Sequence, residues 1–175
     1  RRQRQMCIRD SVVQGDIADR ADVQRLFGEI RVHLPPLRGV VHAAGVTRFD
    51  PLADMAAESL EAVLRPKCTG AWNLHQATQR CELDFFVLFS SAAAIWGSQH
   101  MAHYAAANHF LDALAHERRA GGRPALSINW ARLSERGMQS AELETSLARI
   151  GIEAIPTDAA LEMLGELLQE DAVQV

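Results

Sequence analysis

Two residue types are almost missing from this sequence of 175 residues: it holds one tyrosine, Tyr104, and one lysine, Lys67, among 18 basic residues. A chain that uses arginine for every other cation has kept a single compact ammonium, a group that a planar guanidinium cannot imitate. Both singletons are therefore candidates for chemistry. Cysteine is scarce as well: Cys7, Cys68 and Cys81 make an odd number without Cys-x-x-Cys spacing or paired histidines. That pattern points to neither a disulfide framework nor a metal site, and it fits a reducing cytoplasm. No apolar run approaches the roughly 18 residues of a membrane span, and there is no signal-peptide core. Beyond the amino terminus there is no block of Lys or Arg, and the net charge is −4 with a pI near 6.0. These features argue against nucleic acid and against a membrane as partners, and leave small or acyl ligands.

What the sequence does have is an apolar content of 48%, enough to bury the core of one domain. Asp84 to Phe89 is a bounded run of aromatic and β-branched residues that reads as a strand buried on both faces. Ser90 and Ser91 fall at its carboxyl end, where open α/β sheets place their sites. From His103 the pattern turns helical, with Phe110, Leu111 and Leu114 on one side and a Gly121-Gly122 stop. Tyr104 and Asn108, four apart, share a face of that helix.

Elsewhere the chain alternates. A short strand over Ser11 to Gln14 leads to a helix capped by Asp19 and running to about Val32, with Val23, Leu26, Phe27 and Ile30 inward. Pro35-Pro36 ends it, and Leu37 to Ala44 is the next strand, in which His42 reads as a packed residue. After a loop from Val46 to Met55, Ser59 to Ala77 is a long helix interrupted near Pro66, one residue before Lys67. Ala125 to Trp130 is another strand; a loop and helix follow to about Ile155. Thr157-Asp158 caps a further helix to about Leu168, and Ala172 to Val175 reads as a last strand. Strands alternating with helices predict an α/β fold on a parallel sheet.

With the strand-end serine, the tyrosine and the lone lysine placed, a resemblance is clear. From about Val12 to Val175 the chain resembles the catalytic part of the ketoreductase domains of modular type I polyketide synthases, members of the short-chain dehydrogenase/reductase superfamily. The segments GDIADRADV, GVVHAAGV, LRPKCTGAWNLH, FVLFSSAAAIWGS, HYAAANHFLDALAHERRAGG and ALSINW carry it. The superfamily's usual Tyr-x-x-x-Lys is here Tyr104-x-x-x-Asn108; in these ketoreductases the lysine comes from the preceding helix, and Lys67 matches it.

The resemblance implies a Rossmann-like doubly wound parallel sheet and NADPH-dependent reduction of a β-ketoacyl thioester to a β-hydroxyacyl thioester. It makes Tyr104 the general acid, with Ser91 hydrogen-bonded to the same carbonyl oxygen. Lys67 is expected to lower the phenol's pKa and to hold the nicotinamide ribose, and Asn108 to keep Lys67 or a proton-relay water in place. Toward the cofactor, Asp16 and Ile17 match the residues facing adenine, Ala43, Ala44 and Gly45 the turn beneath the adenosine ribose, and Asn129 and Trp130 the loop beside the nicotinamide. Ala131-Arg132-Leu133 departs from the family, which has a glycine and often a second tryptophan there.

Trp96, eight residues before Tyr104, matches the tryptophan of A-type ketoreductases, and Thr47-Arg48-Phe49 stand where B-type enzymes have Leu-Asp-Asp. Met101 replaces the histidine associated with a reversed α-substituent. An L-configured product is therefore expected. The implied partners are an acyl carrier protein with its phosphopantetheine-bound substrate, and ketosynthase and acyltransferase domains of the same polypeptide, in the cytoplasm.

The family's first two strands and Gly-rich phosphate-binding turn have no counterpart. The expected fold is accordingly incomplete, with residues 1-10 a disordered or non-native leader and residues 11-175 a ketoreductase catalytic subdomain fragment, inactive by itself. Other readings are a non-catalytic structural ketoreductase remnant, a fatty acid synthase ketoreductase, and a stand-alone short-chain dehydrogenase. The last would have lysine at position 108, and the first would have lost Tyr104, Ser91 or Lys67.

Overall fold

The structure, a computed structural model, describes residues 10–134, 151 and 153–175. The leader expected over 1-10 falls outside them except for Asp10, and so does most of the loop and helix expected before Ile155.

Three apolar runs form the sheet: β1 (Gly39–His42), β2 (Phe85–Ser91) and β3 (Leu126–Trp130). They are all parallel, in the order β1-β2-β3. Val41 pairs with Val87, and Ser91 with Trp130, so the carboxyl ends finish side by side. The expected strand at Ala172 to Val175 is present as a short parallel addition beside β3, with the Ser127 amide donating to the Val173 carbonyl at 2.8 Å and the Asn129 amide to that of Val175 at 2.7 Å. Ser11 to Gln14, expected as a strand, is not one. It is exposed and makes no ladder among the described residues, so its backbone lacks the partner that a strand requires.

The alternation along β2 separates two cores. Phe86 and Leu88 point to one side, where they meet Leu74, Leu111, Leu114 and Ala115; Val87 points to the other, with Ile128, Trp130 and Ala160. The first side is covered by α1 (Arg20–His33), α3 (Gly70–Ala77) and α5 (Ala102–Ala120), the second by α6 (Thr157–Leu167). Helices on both faces of a parallel sheet make the doubly wound α/β arrangement. Asp19 caps α1 as expected, its carboxylate accepting from the Ala21 amide at 2.7 Å. Helix α5 ends where the two glycines predict, Gly122 having a positive φ of 70°. The last helix starts at Thr157 after Pro156, with no side-chain cap, so Thr157 is its first turn rather than its cap.

The proline-bearing helix does not break. α2 (Ala57–Leu64) runs through a π-helical turn at Arg65–Thr69 into α3. Pro66 has no N–H to give to the helical ladder, and the wider turn absorbs that loss. The consequence is local and large: the turn directs Lys67 inward, leaving it only 3% exposed. Gly70, at the start of α3, lies so close to Ile17 that a β-carbon there would stand 2.7 Å from that side chain, which brings the Asp16-Ile17 segment against the helix.

Candidate active site

The four residues expected to do chemistry come together at the carboxyl end of β2. Lys67 donates from Nζ to the Phe89 carbonyl at 2.8 Å, and the same Nζ lies 5.8 Å from the centroid of the Tyr104 ring. Gly45, in the turn after β1, packs on the lysine stem: a β-carbon there would stand 2.9 Å from Cε. Tyr104 is in the first turn of α5, and Ser91 ends β2 with its hydroxyl accepting from the Ala93 amide at 3.2 Å. Asn108 is fully buried, and its Nδ2 donates to the Tyr104 carbonyl at 2.8 Å. No hydrogen bond joins Asn108 to Lys67; it braces the turn of helix that carries the phenol, and its Oδ1 has no aligned partner.

The electrostatics depart from expectation at one point. Burial raises the Tyr104 phenol above its ordinary value, with the nearby Ser91 hydroxyl and Asn108 side chain acting against the rise. Lys67 is expected to lower it, but Lys67 is not among the groups that shift this phenol, and desolvation decides the direction. Burial also pushes Lys67 down to about 8, opposed by Cys68 and Asp112. His42 is a packed strand residue, as its pattern suggested; burial first, and the Lys67 charge second, push it down to about 4, so it is neutral beneath the site at pH 7.

The remaining sequence-predicted residues divide into an open edge and a closed one. Ala43 and Ala44 are exposed, and so is Asp16, whose carboxylate accepts from the Ala18 amide at 2.8 Å and from Arg65 at 2.9 Å. The Ile17 carbonyl accepts from Asn73 Nδ2 at 3.1 Å. Asn129 is committed to the interior: its Nδ2 reaches Asp112 Oδ2 at 3.0 Å, Ser90 Oγ at 3.1 Å and the Ser91 carbonyl at 3.2 Å, while its Oδ1 accepts from Gln174 at 3.0 Å. Trp130 is buried with its ring centroid 5.5 Å from that of Phe89. Trp96, at the end of α4 (Ala93–Trp96), is 68% exposed, whereas Met101 is buried, with Ser98 Oγ 3.3 Å from its sulfur.

Sequence reasoning missed Asp112. It is buried and accepts from Ser127 Oγ at 2.6 Å as well as from Asn129, and through Asn129 it reaches the strand end that carries Ser91. A signal existed: Tyr104, Asn108 and Asp112 follow one another at four-residue spacing on one helix face.

A family model described as the KR domain matches residues 2–135, a span that holds β1, the π-turn, β2, α5 and β3. The chain belongs to the KR domain family, the ketoreductases of polyketide synthases. This ketoreductase chain is 40% identical over 164 residues to the phenolphthiocerol synthesis polyketide synthase type I Pks15/1 of Mycobacterium bovis, an alignment covering 91% of this chain and 8% of that protein. It therefore spans about a tenth or less of the curated relative's length. Among solved structures it is similar to an A-type ketoreductase from a modular polyketide synthase (TM-score 0.86, 40% identity, 93% of this chain and 34% of that one). It is also similar to an A1-type ketoreductase (TM-score 0.85, 41% identity, 91% of this chain and 34% of that one).

The ketoreductase fold implies a nicotinamide cofactor, and the residues present fit one. The turn after β1 offers exposed Ala43 and Ala44, and the Gly45 cradle, which a β-carbon would fill, holds the Lys67 ammonium at the same edge. Small residues there permit close approach of a ribose. Among the described residues no group of His, Cys, Asp and Glu could hold a metal ion, and no helix is long and apolar enough to cross a membrane.

Proposed function

We propose that this chain carries the catalytic residues of an NADPH-dependent β-ketoacyl thioester reductase within a polyketide synthase. The observation that carries the reading is the placement of the lone lysine's ammonium over the ring of the lone tyrosine, at the end of the strand that supplies Ser91. NADPH, when bound, supplies hydride; Asp16, Ile17, Ala43, Ala44, Gly45 and Lys67 would hold it, and the end of β3 at Asn129 and Trp130, whose side chains pack inward, would border its nicotinamide. The chain's own part is the proton. Tyr104, kept protonated by its raised pKa, gives its proton to the substrate oxygen, and the alkoxide developing there is far more basic than a phenolate. Ser91 donates to the same oxygen, Lys67 supplies positive charge to the phenolate left behind, and Asn108 holds the Tyr104 turn. The substrate gains one hydride at carbon and one proton at oxygen, and the phenol is reprotonated from solvent.

The acyl chain is presented by a carrier protein's phosphopantetheine, with ketosynthase and acyltransferase domains in the same cytoplasmic polypeptide; residues 11-175 are the catalytic subdomain. The product is L-configured. Trp96, exposed at the end of α4, Thr47-Arg48-Phe49 in place of the B-type triplet, and the likeness to structures described as A-type support that outcome. Tyr104→Phe tests the central assignment. In the native protein it should lower turnover of a β-ketothioester by about 10²-fold or more while NADPH affinity stays near normal, and substantial residual turnover, followed at the nicotinamide absorbance, would remove Tyr104 from the role. Chiral chromatography of the alcohol decides the configuration, a predominantly D product overturning the Trp96 assignment.

A further inference from the structure

The turn of helix that carries Tyr104 lacks an ordinary cap. Met101 precedes α5 and makes no side-chain cap hydrogen bond. Besides the Met101 amide's bond to the Ser98 carbonyl at 3.1 Å and the Asn108 brace on Tyr104, this turn is met from the loop after β1 by Asp50. Its backbone N–H donates to the His100 carbonyl at 2.8 Å, and its carboxylate accepts from Ser59 Oγ at 2.5 Å. The second carboxylate contact is with His103, whose Nε2 lies 3.3 Å from Asp50 Oδ2. His103 is the residue immediately before Tyr104 and is only 2% exposed, and neither ring nitrogen has an aligned hydrogen-bond partner. A buried imidazole without an aligned partner is costly, and the Asp50 carboxylate is the polar group that faces it. His100, whose carbonyl receives the Asp50 amide, has a φ of 59°, in the left-handed region that non-glycine residues rarely adopt. Such strain persists only where surrounding structure over-determines it. A negative charge near the start of α5 is also favoured by the helix dipole.

Asp50 directly follows Thr47-Arg48-Phe49. One side chain and one amide thus join the loop on the substrate side to α2, to the strained turn at His100, and to the first turn of α5. We propose that Asp50 and His103 are positioning residues, a latch that makes the loop over 46–55 and the Tyr104 turn move as one unit. The proposal rests on Tyr104 being the proton donor only for its effect on turnover; the mechanical coupling stands on the contacts themselves.

Hydrogen exchange of the native protein, with turnover measured alongside, tests it. Asp50→Ala and His103→Gln should each speed exchange about tenfold or more both in a peptide over 46–56 and in one over 98–106, leaving β2 and the later turns of α5 unchanged. The double variant should exchange no faster than the faster single one, because a latch broken at either side is open. Turnover should fall roughly tenfold with KM for the thioester nearly constant, since a displaced proton donor loses rate rather than substrate binding. Asp50→Ala, at a partly exposed position, keeps the test available if His103→Gln folds poorly. Unchanged exchange in Asp50→Ala, acceleration confined to the loop alone, or additive effects in the double variant would each overturn the latch. Full turnover in Tyr104→Phe would instead remove the acid assignment and leave the exchange result standing.

Discussion

A β-carbon on Gly45 would stand 2.9 Å from Cε and 3.5 Å from Nζ of Lys67, so the turn after β1 and the buried ammonium are fitted to each other. Gly45→Ala should therefore move the lysine, which is the flexible partner, rather than the backbone. The shift weakens the 2.8 Å bond to the Phe89 carbonyl and draws the charge from the Tyr104 ring. The expected outcome is a loss of turnover of about 10–100-fold in the native protein, with a stability change of only about 1 kcal/mol. Steady-state kinetics and a thermal midpoint on the same preparation check both parts, and a large fall in midpoint with normal turnover would contradict the assignment.

The depressed pKa of Lys67 has two consequences of opposite sign. Activity that needs the ammonium is present below about 8 and is lost as pH rises through that value, whereas the Tyr104 phenol, raised by burial, titrates higher. A pH–rate profile should show its first alkaline limb near 8. Stability runs the other way. The folded value of about 8 lies below the ordinary 10.5, so between them the unfolded chain binds the extra proton and this group's contribution to stability rises with pH. Denaturant unfolding at several pH values from 7 to 11 should show that rise in the wild type, and Lys67→Met should remove it.

The residues proposed for the chemistry could be singled out because the sequence isolates them: one tyrosine, one lysine, and a serine at the end of an apolar run. Asp19 and Gly122 were readable for a similar reason, since a cap and a left-handed glycine act within a few residues of chain. Distant partnerships were not. Periodicity shows that Asn108 shares a face with Tyr104, but not that it braces the helix instead of meeting Lys67. The Ser11 to Gln14 strand failed because a strand is defined by its neighbours, which local propensity cannot supply. The direction of the Tyr104 shift was misjudged because desolvation depends on burial, which no spacing reveals.

Asp112 offers a test of coupling across the core. It accepts from Ser127 Oγ and Asn129 Nδ2, and its charge supports the protonated state of Lys67. Asp112→Asn replaces an acceptor with a group that carries donors of its own, leaving one of those two partners poorly paired, at a cost of about 1–3 kcal/mol. The same substitution should shift the alkaline limb of the rate profile to lower pH, because Lys67 loses a stabilising negative charge. A limb that stays in place while stability falls would confine Asp112 to packing.

Arg118 is the opposite case, a buried charge with no part in the site. It is 1% exposed and lies 3.7 Å from the centroid of the Phe86 ring. Its Nε donates to the Pro124 carbonyl at 3.2 Å and its Nη1 to Thr78 Oγ1 at 3.1 Å, tying the end of α5 to the end of α3 and to the segment before β3. Burial lowers it to about 10, so the guanidinium remains charged at neutral pH and the aromatic face replaces part of its lost hydration. Arg118→Ala should cost about 2–4 kcal/mol, through the cavity and the unpaired acceptors. Arg118→Lys should recover only part of this, because an ammonium lacks the planar fork that serves two acceptors and a ring at once. Phe86→Leu keeps the core apolar but removes the ring face, and in a double-mutant cycle with Arg118→Met it should show a coupling of about 0.5–2 kcal/mol. Turnover per folded molecule should stay within about twofold of wild type in every variant, because lost stability outside a site lowers the folded fraction rather than the rate. A parallel loss of rate in the folded fraction would mean that the α3–α5 clamp reaches the site after all.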